Sequence, residues 1–173
     1  VIDEADQVYS TGQSEEVNQL RIAIHGVQTI CLSATKNDTI HTYFDTPFEE
    51  VSQGEIAVND KITSYYLETE NKKDTLLSLL QSLPITSAIV FVNHRSTAVE
   101  LSDLLLRNHI LSSAFSGYFD ERKRIAIMSD FRKGDIRVLV ATDAAARGID
   151  IRELSHVIHY DIPKSLESYY QET

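Results

Sequence analysis

Apolar residues along this chain follow two patterns. Short continuous runs, Ser87-Ala88-Ile89-Val90-Phe91-Val92-Asn93, the stretch 136–141 and residues 155–160, read as strands buried on both faces. Between them apolar positions recur at helical spacing. Val99, Leu101, Leu104 and Leu105 mark a helix over 97–108, and Ile125, Met128 and Phe131 mark one over 121–133. Residues 62–67 and 111–115 read as further strands, residues 72–83 as a helix, and another helix opens at Ser165. Strands alternating with helices of this length imply right-handed βαβ units, a parallel sheet and an α/β fold.

The first third is patterned differently. Val1-Ile2 is the end of an apolar strand running into Asp3-Glu4-Ala5-Asp6. A helix is expected over 15–25, with Ser14 as its cap and Val17, Leu20, Ile22 and Ile24 as its apolar positions. The strand 27–32 ends in Ser33-Ala34-Thr35; a short helix over 38–44 and an edge strand over 46–51 follow. Residues 52–60 hold a glycine and no periodicity, as a linker would. The expected division is therefore 1–51, the linker 52–60, and 61–173. A domain seldom opens in mid-strand, so the chain is expected to be part of a longer protein.

Composition adds bounds. With 173 residues, 42% hydrophobic and 24% charged, the chain can bury a sizeable core. Its single cysteine, Cys31, excludes an intramolecular disulfide framework and a multi-cysteine metal site, and in its apolar run reads as a buried, inert thiol. The six histidines show no metal-like spacing. No apolar run approaches the roughly 18 residues that span a bilayer, and no signal peptide opens the chain, so a soluble, cytoplasmic protein, a monomer without a membrane partner, is expected. The net charge of −10 argues against a polyanion partner, but the charge is segregated. Residues 95–152 carry ten Lys/Arg against eight Asp/Glu, which permits a local phosphate-binding face.

Candidate chemistry clusters where strands end. The run Val138-Leu139-Val140-Ala141 gives way to Thr142-Asp143-Ala144-Ala145-Ala146-Arg147-Gly148-Ile149-Asp150. In open α/β sheets ligands bind outside the carboxyl ends of strands, so a polar switch there marks a site; the alternative is an ordinary helix capped by Thr142 or Asp143. Carboxylates at a strand's carboxyl end, such as Asp3, Glu4 and Asp6, supply the hard oxygen ligands and the base that a Mg²⁺-nucleotide site needs. Taken alone, such a cluster reads equally as an acidic loop, and Ser33 with Thr35 as a turn.

Together, Asp3-Glu4-Ala5-Asp6, then Ser33-Ala34-Thr35, then residues 141–150 resemble motifs of the DEAD-box family of ATP-dependent RNA helicases, in the family's order and at about its spacing. The resemblance covers essentially the whole chain. It implies the end of a first RecA-like domain followed by a second RecA-like domain, a parallel sheet flanked by helices. It further implies that Asp3 holds Mg²⁺ through water, that Glu4 orients or deprotonates the attacking water, and that Asp6 connects the site to Ser33 and Thr35. Asn93 and Arg95, after the strand resembling motif IV, become candidate phosphate contacts; a helix cap is the other reading of Asn93. Arg124 matches the family's Gln-x-x-Arg element, whereas Glu121 stands where Gln is usual and reads as half of an i,i+3 helix pair. Thr142 and Asp143 would meet the RNA backbone or order the loop that does, Arg147 would be a structural or phosphate-facing base, and Gly148 and Asp150 would lie toward the nucleotide.

Two departures qualify the resemblance. No G-x-x-x-x-G-K-[ST] loop is present, so the chain by itself is expected neither to bind ATP tightly nor to hydrolyse it. Gln171-Glu172 stands where the family has His-Arg, and Tyr169-Tyr170-Gln171-Glu172-Thr173 is closer to RecQ-type DNA helicases. An atypical DNA helicase, or a nucleotide sensor without a nucleic-acid role, are the competing readings.

Overall fold

The structure is a computed structural model; it describes residues 1–10, 14–23, 26, 28–33, 49, 51, 62–146, 154–163 and 169. The chain divides into two compact units, Val1–Asn59 and Asp60–Thr173.

In the first unit Ile2 pairs with Cys31 as a parallel bridge. The Ile2 N–H donates to the Ile30 carbonyl and the Leu32 N–H to the Ile2 carbonyl, each at 2.8 Å. Helix α1 (Ala5–Ser10) starts directly after the carboxylates and α2 (Ser14–Ala23) follows. Ala5 and Tyr9 form a small buried cluster against Ile2, Val8, Val17 and Cys31. Burial pushes the half-buried Cys31 thiol up from its ordinary pKa, so it stays protonated and unreactive. Helix α1 has no counterpart in the sequence reading, because six residues are too short for apolar periodicity to register. The expected helix 38–44 and linker 52–60 lie outside the described residues, as does the expected strand 46–51 apart from Glu49 and Val51.

The second unit opens with α3 (Lys72–Ser82), capped by Asn71, whose side-chain oxygen accepts from the Asp74 N–H at 3.2 Å. Then come β1 (Ala88–Phe91), α4 (Arg95–Arg107), β2 (Ser112–Phe115), α5 (Glu121–Lys133), β3 (Val138–Ala141), the single turn α6 (Asp143–Ala146) and β4 (His156–His159). The sheet runs β2-β3-β1-β4 and every pair is parallel. Strands β1 and β3 occupy its centre, and all four residues of each are buried, as their continuous apolar runs require.

Strand periodicity then sorts the core into two layers. Ala88, Val90, Val138 and Val140 face Leu76, Leu80, Leu101 and Leu105 of α3 and α4. Ile89, Phe91, Leu139 and Ala141 face Ile127, Met128 and Phe131 of α5. Helix α5 is closed by Gly134 in the left-handed region, φ 84°, whose N–H reaches the Phe131 carbonyl. Arg137 braces the opposite rim, its guanidinium donating to the Ile85 carbonyl at 2.8 Å and to that of Leu80.

Two expected strands do not form as such: among the described residues 27–32 is reduced to the bridge at Cys31, and the other is the first of the second unit. Residues 62–67 form no strand; Tyr65 and Tyr66 are each 87% exposed. Their β-branched and aromatic composition favours extended backbone, but a strand also needs a neighbouring ladder, and among the described residues none pairs with them.

Candidate functional site

Parallel pairing in strict register sets the geometry. Phe91 lies opposite Ala141 and His159, and Phe115 opposite Ala141, so all four strands end level. The segments that follow them, from Val92, Ser116, Thr142 and Tyr160, therefore leave from one rim of the sheet. Asn93, Arg95, Thr142 and Asp143 lie at or just beyond that rim, as the sequence implied, and the same rim receives Gly117-Tyr118 and Asp161.

Asn93 is tied to this rim by β4's continuation. Its N–H donates to Asp161 Oδ2 at 2.9 Å and its side-chain amide reaches the Ile162 carbonyl at 3.4 Å. The other Asp161 oxygen pairs with Lys72 Nζ at 3.2 Å, and that ammonium also lies 5.2 Å from the centre of the Tyr160 ring. Burial, then the Asp161 and Glu100 charges, hold the Tyr160 phenol above its ordinary range. The α4 cap position belongs to His94, without a side-chain cap bond, so Asn93 is not the cap.

Arg95 is the first residue of α4, whose first turn holds no acidic residue. A cation there opposes the helix macrodipole, so its placement does not serve the helix. Its guanidinium instead lies 4.5 Å from the centre of the Tyr118 ring. Arg124 in α5 lies 5.3 Å from the Phe115 ring centre, and its buried Nε has no hydrogen-bond partner among the described residues. The expected Glu121–Arg124 pair is not formed among the described residues. Glu121 is exposed, and α5 is capped by Asp120, which accepts from the Lys123 N–H at 2.8 Å.

Thr142 closes β3 and its carbonyl accepts from the Ala145 and Ala146 N–H groups at 2.9 and 3.1 Å, starting α6. Asp143 occupies the first turn of α6, where its negative charge suits the helix N-terminus. Arg147, Gly148 and Asp150 lie outside the described residues.

In the first unit the same logic holds on a smaller scale. Because Ile2 and Cys31 run parallel, Asp3 and Ser33 emerge from one rim. Asp3 is exposed and one of its carboxylate oxygens accepts the Glu4 N–H at 2.9 Å. Glu4 adopts φ 49°, a left-handed conformation that carries its exposed carboxylate off the strand line. The Asp6 side chain and Thr35 lie outside the described residues. No group of three or more His, Cys, Asp or Glu able to hold a metal occurs among the described residues. A lone exposed carboxylate still fits Mg²⁺, which keeps most of its waters and takes its remaining ligands from phosphates.

The sequence reading missed Asp161, which anchors Asn93, and Tyr118, which carries Arg95. A signal for Tyr118 was present: an aromatic dipeptide between Gly117 and the basic run Arg122-Lys123-Arg124.

Residues 71–173 match the helicase conserved C-terminal domain, which defines the class of protein to which this rim belongs. The chain is 34% identical to the ATP-dependent RNA helicase DeaD of Mycobacterium tuberculosis, over 98% of its own length and 31% of that protein's. It is 34% identical to the ATP-dependent RNA helicase eIF4A of Phaeosphaeria nodorum, over 98% of its own length and 45% of that protein's. Among solved structures it is similar to S. cerevisiae Dbp5 bound to RNA and ADP BeF3, with a TM-score of 0.83, 28% identity and coverage of 98% of this chain and 47% of that one. The chain belongs to the DEAD-box helicase family, and it spans less than half the length of these relatives. No helix among the described residues is long and apolar enough to cross a membrane.

Proposed function

We propose that the protein carrying this chain couples ATP hydrolysis to RNA binding and local duplex opening in the cytoplasm. The observation that carries this reading is the level rim of four parallel strands, where Asn93, Arg95, Thr142 and Asp143 gather. A guanidinium beside hydrogen-bonding side chains at such a rim suits a sugar-phosphate strand gripped with little sequence readout. Arg124, stacked on an aromatic ring and without a carboxylate partner among the described residues, suits phosphate, and Arg147 would extend the same role.

In the first unit Asp3 would hold Mg²⁺ through water and Glu4 would orient or deprotonate the attacking water, with Asp6 connecting this site to Ser33 and Thr35. Gly148 and Asp150 would face the nucleotide. Bound Mg²⁺ would supply charge neutralisation at the phosphates. The chain's own part is to aim a carboxylate, and the left-handed Glu4 backbone is consistent with such a residue. The 173 residues contain no phosphate-binding loop, so by themselves they neither bind ATP tightly nor turn it over.

RNA-stimulated ATPase assays on the full-length protein test the reading. Glu4→Gln is expected to lower turnover by roughly 100-fold or more, as loss of a positioned base does, while leaving RNA affinity unchanged. Full turnover in that variant, or turnover by the 173-residue chain alone, overturns it.

A further inference from the structure

The Tyr118 ring sits where a grip confined to phosphates has no use for it. It follows β2 at the rim shared with Asn93 and Thr142, and it is 85% exposed, so it contributes nothing to the core. Its position is nonetheless defined. The Tyr118 N–H donates to Ser116 Oγ at 3.3 Å, and the Phe119 N–H to the Ser116 carbonyl at 3.1 Å. The Arg95 guanidinium lies 4.5 Å from its ring centre, from the far side of the β1–α4 junction. With one face under that cation and most of the ring still exposed, the opposite face is open. On the neighbouring residue of the same loop, Lys123 Nζ stands 3.8 Å from the Phe119 ring centre.

An exposed aromatic face backed by a guanidinium has the chemistry of a stacking platform for single-stranded nucleic acid. Every base presents a π-face, the guanidinium adds cation–π attraction, and neighbouring cations hold the backbone. We propose that Tyr118 stacks on one nucleobase of the bound RNA strand, with Arg95 as the positioning residue that holds the ring. This rests on the RNA-binding reading above and adds a base contact to it. Stacking is tolerant of sequence, so the contact would add affinity for an unpaired, splayed base without reading which base it is. The platform would thereby favour the single strand over the duplex, since a paired base is already stacked.

Binding of the full-length protein to two single-stranded RNA decamers, one intact and one with its central nucleotides abasic, separates this role from backbone contact. For the intact strand Tyr118→Ala is expected to weaken binding roughly 5- to 150-fold, the span that one base–aromatic stack confers. For the abasic strand it should change little, and Tyr118→Phe should behave as the parent with both. A 2-aminopurine placed at the stacked position should be quenched on binding by the parent and by Tyr118→Phe, and not by Tyr118→Ala. An equal loss of affinity for both decamers, or no loss for either, overturns the stacking role while leaving RNA binding intact. Failure of the unsubstituted protein to bind either decamer at low salt overturns this inference together with the function it rests on. Unchanged urea midpoints for the Tyr118 variants, expected of so exposed a side chain, exclude misfolding as the cause.

Discussion

At the scale of single residues, the informative side chains include those whose charge has no carboxylate partner among the described residues. Arg124 lies over the Phe115 ring with a buried, unsatisfied Nε among the described residues. An unspent cation in that setting is suited to an arriving phosphate. Arg124→Ala should weaken RNA binding for all sequences alike and reduce the slope of log K against log salt by about one, read by fluorescence anisotropy across a salt series. Tyr160 makes a different prediction, on stability. Its phenol is held above its ordinary range by burial and by the Asp161 and Glu100 carboxylates. The folded state therefore keeps this proton at a pH where the unfolded chain has lost it. Its contribution is fully present below the unfolded pKa of about 10 and fades as pH rises from there through the folded value. Urea midpoints measured between pH 8 and 11 should fall at the alkaline end, and Tyr160→Phe should flatten that limb. Little of this was legible in the sequence. Arg124 stood out by its spacing from Glu121, yet a helix pair was the natural reading, and only the packing of α5 on β2 turned the guanidinium onto Phe115.

At the scale of elements, the ends of α5 show how local chemistry fixes the start and stop of a helix. Asp120 satisfies an otherwise orphaned N–H, and Gly134 turns the chain at φ 84°. Nothing lies within 4 Å of a Cβ built on either Gly134 or Gly117, so sterics with neighbours do not distinguish the two. Backbone conformation does, since only Gly134 sits in the left-handed region. Gly134→Ala should cost about 1–2 kcal/mol. Gly117→Ala should be neutral or stabilising by up to about 1 kcal/mol through the unfolded chain. Paired urea titrations of the two variants check the contrast, which an equal effect would contradict. The bounds of this helix, 121–133, were legible in the sequence, and so were Met128 and Phe131 as core positions, whereas Ile125 is exposed and Ile127 is buried in its stead. Residues 62–67 were not, because strand propensity describes a surface that fits a neighbour and cannot say whether a neighbour is there.

At the scale of the whole molecule, the question is how a chain of net charge −10 could hold a polyanion. Screening supplies the answer, since exposed charges beyond roughly 8–10 Å act weakly at physiological ionic strength and the rim feels mainly the charges nearest it, where Asp161 is already paired with Lys72. RNA binding by the full-length protein should then depend steeply on salt. With about four phosphates met and a slope of about 0.7 per phosphate, affinity should fall roughly 50-fold between 50 and 200 mM KCl. A flat response in a titration over that range would contradict a phosphate grip.

The amino-acid sequence by itself determined the fold class and the points where strands give way to small and polar residues. Buried parallel strands must be continuously apolar, and the abrupt change to small and polar residues at Thr142 or after Ile2 is visible in one dimension. Motif order identified the family for the same reason. Tertiary structure alone decided that the four strands end level, that Asp161 from β4's end holds Asn93 after β1, and that Tyr118 after β2 lies beneath Arg95 of α4. Those pairings join residues 23 to 68 positions apart, and their geometry follows from strand order and register, which no local pattern in the chain encodes.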